Sequence, residues 1–244
     1  MNIGVFLRES AKLFDSRVLI TNPNLIPETS EMLRFYNYVS LERMSYDDIF
    51  EEVCWVVYAS GFRYNIVKRF WPQIRKEFLN FNVDRVAAFS DDLDAQVKRI
   101  CYKSGFRNLR KATWCIENAK RIICLDYEKK TMGGFREYLI EISKKDPVEL
   151  VDFAPQLVDE LRFKGIGKTT IFHLMKNLGM NIFKPDIHVR RILFNLGLTT
   201  SENASAGDVC SVMRSLSSES GLKIKELDTM LFNYGRINGD SIES

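Results

Sequence analysis

Residues 163–191 read FKGIGKTTIFHLMKNLGMNIFKPDIHVRR and contain the most informative motif of the chain. Its Gly-Ile-Gly-Lys-Thr segment, residues 165–169, resembles at first sight the phosphate loop of a nucleotide-binding enzyme. Such a loop requires a glycine at the position that Arg162 occupies and a buried strand leading into it. The chain instead places Leu157 and Leu161 at helical spacing before the turn, so the phosphate-loop interpretation fails.

What remains is a helix, a tight turn and a second helix, with Ile171, Leu174 and Leu178 on one face of the second helix. Two glycines allow the sharp turn, and the N-terminal end of the second helix attracts anions. DNA phosphate suits such a hairpin because basic side chains flank it. The hairpin residues predicted to bind DNA are Lys164, Gly165, Gly167, Lys168 and Thr169. An ordinary helix–helix corner is the alternative.

The distribution of charge also favours a polyanionic partner. The 244 residues are 45% apolar and 27% charged, as in a globular protein, and carry a formal net charge of +3. Residues 98–121 contain eight basic side chains and one acid, and residues 162–191 contain seven and one. We expect double-stranded DNA as the partner, although solvated helix faces produce similar runs. Within the first run, Arg107, Arg110 and Lys111 are predicted to bind the opposite strand.

Several classes of protein are disfavoured. The five cysteines form no C-x-x-C pair and lie among apolar neighbours, which predicts reduced core residues. With two histidines in the chain, we expect no metal site. No signal sequence and no run of eighteen apolar residues is present, which predicts a cytoplasmic protein that is neither exported nor membrane-bound, associated with the nucleoid if bacterial. We also expect a monomer.

Helical periodicity dominates the chain. Apart from a short extended candidate at residues 17–20, no alternating run is bounded by turns, so the fold class predicted is all-α. The predicted helices are 28–39, 46–60, 64–79, 90–103, 108–125, 132–144, 147–162, 168–179, 187–196, 206–218 and 223–234.

Asp186 is the second informative residue. It follows Pro185, which disfavours helix at Lys184, so Asp186 stands where the next helix begins and serves there as a plain N-cap in the simplest interpretation. It is also the single acid among seven basic residues. Cleavage of an N-glycosidic bond develops positive charge on the sugar, and a fixed carboxylate stabilises that charge or activates water. Asp186 is therefore the candidate catalytic residue.

The hairpin Gly165-Ile166-Gly167 followed by Pro185-Asp186 resembles the helix-hairpin-helix (HhH-GPD) DNA glycosylases, in which the aspartate is catalytic. Residues 227–236 (LDTMLFNYGR) resemble the closing helix of that superfamily. The resemblance implies a two-lobed all-α fold with the active-site cleft between lobes, here 46–179 and 1–45 with 180–244. Members with an iron-sulfur cluster carry four cysteines after the closing helix. No such cysteines follow residues 227–236 here, so no iron-sulfur cluster or other cofactor is expected. The hairpin is still compatible with a bound cation.

The middle of the chain, 46–179, resembles 3-methyladenine DNA glycosylase I most. The stretches that carry this resemblance are 50–62, 83–90, 107–111 and 118–120, with Gly167-Lys168-Thr169. It implies excision of an alkylated purine. Two departures bear on the substrate: Val56 occupies the place of the base-recognising glutamate, and the zinc ligands have no counterparts. That enzyme also lacks the catalytic aspartate, so Asp186 implies a base that leaves less easily.

Bifunctional relatives, which also cut the DNA strand through a Schiff base, carry a lysine at the position of Thr169. We therefore predict a monofunctional enzyme that leaves an abasic site and has no lyase activity. Lys168 is adjacent to that position. A modified pyrimidine, such as a hypermodified cytosine of phage DNA, is an alternative substrate and would indicate antiviral defence. A non-catalytic DNA-binding protein that uses the hairpin only as a grip is the alternative outside enzymes, and a protein that has kept the fold and lost its activity is another.

A glycosylase must flip the base out and fill the gap. Phe62 matches the position of the inserted plug in the resembling enzyme. Trp55, Tyr58 and Tyr64, with Trp71, are predicted to form an aromatic wall for the flipped base. Core packing is the alternative role for all of them.

Overall fold

The fold is helical throughout the part of the chain that the structure describes. The computed structural model describes residues 39–89 and 92–238, and no strand occurs within these ranges, which confirms the all-α prediction. The helices are α1 (Tyr46–Ala59), α2 (Tyr64–Glu77), α3 (Val83–Ala87), α4 (Leu93–Ser104), α5 (Leu109–Glu128), α6 (Phe135–Ser143), α7 (Pro147–Leu161), α8 (Thr170–Asn177), α9 (Ile187–Asn195), α10 (Ala206–Ser220) and α11 (Ile224–Asn238). The extended candidate at 17–20 lies outside the described residues, as does all of the predicted helix 28–39 except its last residue.

Local signals set the helix ends. Ser45 and Asp48 form a reciprocal capping box at the start of α1, with Asp48 N donating to Ser45 Oγ at 3.2 Å. Helix α6 begins three residues later than predicted because Gly133 and Gly134 adopt φ angles of 90° and 106°. The five-residue α3 was not predicted, since so short a helix shows no apolar period.

The described chain divides into two compact units. The central unit comprises Ser40–Lys144 and Ala154–Leu174, and the C-terminal unit includes Lys145–Phe153 and the residues from Met175 onward. In the central unit, α5 packs against α1 and α3. In the C-terminal unit, α11 packs against α9 and α10. The lobe boundaries expected from the resemblance stay a prediction.

The cysteines follow the predicted burial with one exception. Cys54, Cys101, Cys115 and Cys210 are buried, and all five thiols are free. The prediction is wrong for Cys124, which is exposed on the outer side of α5. Its apolar neighbour Ile123 is itself 40% exposed, so apolar neighbours in the sequence did not imply burial. Among the described residues, no helix has both the length and the apolarity to cross a membrane.

Candidate functional site

The hairpin joins α7 to α8 with its apolar residues inward and its basic residues outward. Phe163 and Ile166 are buried, whereas Lys164 and Lys168 are exposed. Thr169 and Gly167 are exposed as well. Two buried side chains thus anchor the turn and present the predicted DNA-binding residues to solvent.

Gly165 is required at the centre of the turn. Its φ angle is 79°, in the left-handed region that side chains disfavour. A Cβ atom added there would lie 2.6 Å from Cε3 of Trp114, so the backbone packs directly on the indole. The guanidinium of Arg110 lies over the same indole, 4.4 Å from the ring centroid. Trp114 therefore connects the hairpin backbone with one of the predicted DNA-binding arginines.

Asn118 on α5 holds the hairpin turn by hydrogen bonds to its backbone. Its side chain is fully buried, its Nδ2 donates to the carbonyl of Lys164 at 3.0 Å, and its Oδ1 accepts from the amide of Lys164 at 2.7 Å. Arg121 donates to the carbonyls of Glu160 and Leu161, both at 2.9 Å, where α7 ends. The spacing i, i+4, i+7 places Trp114, Asn118 and Arg121 on one face of α5. We call this face the hairpin platform.

Asn118→Ala is expected to lower the free energy of unfolding by about 2–4 kcal/mol, because it removes both hydrogen bonds between a fully buried side chain and the backbone of Lys164. It should also weaken DNA binding, since the turn loses its clamp. Chemical denaturation and fluorescence anisotropy with a labelled duplex measure the two effects.

Thr113→Ala, on the same helix and with an exposed hydrogen bond to Leu109, is the matched control and should change stability by less than about 0.5 kcal/mol. Equal stability and equal DNA affinity in the two variants would show that the turn does not depend on Asn118.

At the start of α8, Thr170 closes the turn. The amide of Gly167 donates to Thr170 Oγ1 at 2.7 Å, and its carbonyl accepts from the amide of Ile171 at 2.9 Å. The Gly167 amide is therefore occupied in this structure.

Lys111 does not fit the predicted phosphate contact. It is buried, and its Nζ donates to the carbonyls of Val57 and of Ser60, the latter at 2.8 Å. Burial lowers the pKa of this ammonium. The prediction for Lys111 is therefore corrected: the side chain closes the C-terminal end of α1. Arg107 and Arg110 are exposed, as phosphate binding requires.

The same lysine supports the loop that carries Phe62. Gly61 adopts a φ angle of 76°, and the ring of Phe62 lies 5.0 Å from that of Phe106 and 5.3 Å from Lys111 Nζ. Phe62 is nevertheless 41% exposed. It is thus held in a fixed orientation and still reaches solvent.

The aromatic residues separate into core and surface. Tyr58 is fully buried, and burial raises the pKa of its hydroxyl well above the usual value. Its predicted place in a pocket wall is wrong, because no part of the ring reaches solvent. Val56 is fully buried as well.

Trp55, Tyr64 and Trp71 are partly exposed. The Trp55 ring stands edge-on to Tyr64 at 5.5 Å and to Trp71 at 4.9 Å. Trp71 Nε1 donates to the carboxylate of Glu51 at 3.1 Å, and Arg75 pairs with the same carboxylate. Sequence reasoning missed Glu51, because its partners Trp71 and Arg75 lie on α2, 20 and 24 positions away along the chain.

Asp186 is the N-cap of α9. Its Oδ1 accepts from the amide of Val189 at 3.1 Å, and Oδ2 lies 3.9 Å from Nζ of Lys184. The side chain is 14% exposed. The capping interpretation therefore holds, and the second carboxylate oxygen lies beside a lysine. Among the described residues, no group of three or more histidine, cysteine or acidic side chains is arranged to hold a metal.

A model of the methyladenine glycosylase family matches residues 31–184. No curated protein sequence matches the chain. Among solved structures, the 8-oxoguanine DNA glycosylase of Thermotoga maritima is similar at 18% identity and a TM-score of 0.56, over 93% of this chain and 96% of that one. The 8-oxoguanine glycosylase/lyase of Methanocaldococcus jannaschii bound to DNA that contains 8-oxoguanine is similar at 16% identity and a TM-score of 0.55, over 93% and 97%. At these identities the likeness concerns the fold.

Proposed function

Because the chain belongs to the methyladenine glycosylase family, we propose that it is a DNA glycosylase that flips a modified base out of duplex DNA and hydrolyses its N-glycosidic bond. The observation that carries this proposal is the carboxylate of Asp186, which the start of α9 holds in place and whose side chain is 14% exposed. As the base leaves, the sugar gains positive charge, and a fixed negative charge beside it lowers the barrier. Water then completes the reaction and leaves an abasic site.

The hairpin supplies the DNA grip in this proposal. Its two lysines are exposed, its backbone is fixed on the hairpin platform, and Arg110 is stacked on the platform's indole. The M. jannaschii neighbour was solved with DNA, which supports DNA binding by this fold.

Lys164→Ala and Lys168→Ala are each expected to weaken binding of an unmodified duplex and to reduce the slope of log K against log salt by about one, because each removes one phosphate contact. Anisotropy titrations at four salt concentrations measure the slope. Lys144→Ala, which removes an exposed lysine paired with Glu141, is the control and should leave the slope unchanged. Unchanged slopes in both hairpin variants would exclude the hairpin as the grip.

Phe62→Ala is expected to slow base release at least about tenfold while changing stability little, because the ring is exposed enough to enter the gap that a flipped base leaves. Single-turnover kinetics and thermal melting measure the two effects. Ile66→Ala, at 44% exposure in the adjacent helix, is the matched control. A large drop in melting temperature would assign Phe62 to the core instead.

The substrate is proposed to be an alkylated purine, as the family implies. Buried Val56 offers no carboxylate to read that base, and Asp186 suits a base that leaves less easily. These two observations favour, as the second candidate, a modified pyrimidine such as a hypermodified cytosine, whose removal from phage DNA would serve antiviral defence. The structural neighbours act on 8-oxoguanine, an oxidised purine.

We propose that the enzyme lacks lyase activity, because Thr169 occupies the position at which bifunctional relatives carry the Schiff-base lysine. The M. jannaschii neighbour is described as a glycosylase/lyase, so the two proteins would differ in this respect. Borohydride trapping decides the matter: no covalent adduct with DNA is expected, and an adduct lost in Lys168→Ala would overturn the proposal.

The testing experiment is base release from methylated, deaminated, oxidised and phage-modified duplexes, read by chromatography of the free base and by alkali-dependent cleavage at the abasic site. Release of one base, with strand cleavage only after alkali, is expected. Tight, salt-dependent binding without release from any duplex would instead support a non-catalytic DNA-binding protein.

A further inference from the structure

A buried ion pair lies directly behind the turn that carries Asp186. Lys176 on α8 and Asp228 on α11 are 6% and 1% exposed, and Lys176 Nζ donates to Asp228 Oδ2. Both belong to the C-terminal unit. Sequence reasoning gave neither residue a function.

The second oxygen of Asp228 reaches the backbone of the turn. Oδ1 accepts from the amide of Lys184 at 3.0 Å, two residues before Asp186. The carbonyl of Lys184 in turn accepts from the amide of Asp186 at 2.7 Å. Asp228 is thus connected to the backbone of Asp186 through one residue, and Lys176 fixes the orientation of Asp228.

Stability alone is a weak reason for such a pair. Burying two charges costs free energy that their attraction only partly restores, and apolar replacements of a buried pair are often neutral or stabilising. Burial raises the pKa of Asp228, and the charge of Asp186 raises it further, whereas Lys176 opposes both. Lys176 thus opposes the two effects that disfavour the ionised form of Asp228.

We propose that the Lys176–Asp228 pair is a positioning element that holds the Lys184-Pro185-Asp186 turn and so fixes the carboxylate of Asp186 for base release. The proposal rests on the proposed glycosylase function. Neither residue is a catalytic residue, because both are buried and act through the backbone of Lys184. A displacement of a reacting group by about 1 Å can cost on the order of a hundredfold in rate, which is the size of effect such an element protects.

Two double variants separate the hydrogen bond from the charges. K176M/D228L replaces the pair by apolar groups and should fold, but it leaves the Lys184 amide without its acceptor. K176Q/D228N also removes both charges. Its new asparagine side chain nevertheless keeps an oxygen that accepts from the amide of Lys184, and its amide nitrogen can donate to the new glutamine.

The single-turnover rate of base release should fall about 10- to 100-fold in K176M/D228L, with duplex affinity within twofold of wild type. K176Q/D228N should recover most of the rate. Exchange of the Lys184 amide with deuterated solvent, followed by NMR, should be at least about tenfold faster in K176M/D228L than in K176Q/D228N. A wild-type rate in folded K176M/D228L, or equal slowing in both double variants, would overturn the proposal.

The exchange measurement does not depend on catalysis. If the wild-type protein released no base from any duplex, the proposed function would fail, and the exchange rates would still show whether the pair holds the turn. If the wild type releases base and K176M/D228L releases it at the same rate, the proposed function stands and this inference fails.

Discussion

Asp186→Asn is expected to reduce the single-turnover rate of base release at least about a hundredfold, because it removes the negative charge that faces the developing charge on the sugar. Folding should be nearly unaffected. Asparagine caps helices about as well as aspartate, so its side-chain oxygen can still accept from the amide of Val189. Rapid-quench kinetics on the active duplex, with melting temperature and duplex affinity measured beside them, test this result.

The chain contains a matched control for this substitution. Asp92 is the N-cap of α4 and accepts from the amide of Ala95 at 2.9 Å, as Asp186 does for α9. Asp92→Asn therefore repeats the same chemical change at the same structural position of a different helix, and it should leave the rate unchanged. If both variants retain wild-type rates, Asp186 is only a helix cap, and the charge that stabilises the sugar must come from another residue.

The elements that sequence could predict are those whose causes are local. The capping box at Ser45, the proline that begins α7 and the glycine turn at Gly165 all act within a few residues of their own position. Helical periodicity of the apolar residues predicted the positions of the helices themselves. Each helix of ordinary length from residue 46 onward was therefore predicted near its observed position.

The parts that sequence could not predict depend on contacts distant along the chain. Asn118 clamps Lys164 across 46 positions, and nothing in the neighbourhood of either residue indicates the other. Lys111 was predicted to bind DNA because it lies in a basic run, yet two carbonyls at the end of α1 satisfy its ammonium in the interior. Tyr58 and Trp55 lie on the same helix within a few residues of each other, and tertiary packing alone makes one core and the other surface.

Gly165→Ala is expected to lower the free energy of unfolding by about 2–5 kcal/mol and to weaken duplex binding at least about tenfold. Two costs add. A left-handed φ costs a non-glycine residue about 1–2 kcal/mol, and overpacking against a rigid group costs about 1–3 kcal/mol. The group here is the indole of Trp114, 2.6 Å from the added Cβ. The backbone must move away from the hairpin platform, which displaces the lysines on either side.

Two other glycines separate these costs. Gly221 has a φ angle of 72° and open space around its Cβ direction, so Gly221→Ala should show the cost of φ alone and leave duplex affinity unchanged. Gly167 has neither a positive φ nor a neighbour within 4 Å, so Gly167→Ala should cost no stability. Denaturation curves of the three variants test the order of stability loss, which should be largest for Gly165→Ala, smaller for Gly221→Ala and smallest for Gly167→Ala. Anisotropy on one duplex compares the affinities of Gly165→Ala and Gly221→Ala. If Gly165→Ala lost no more stability than Gly221→Ala, the indole of Trp114 would have moved to accommodate the added methyl group at no cost. The platform would then not be what fixes the hairpin for DNA.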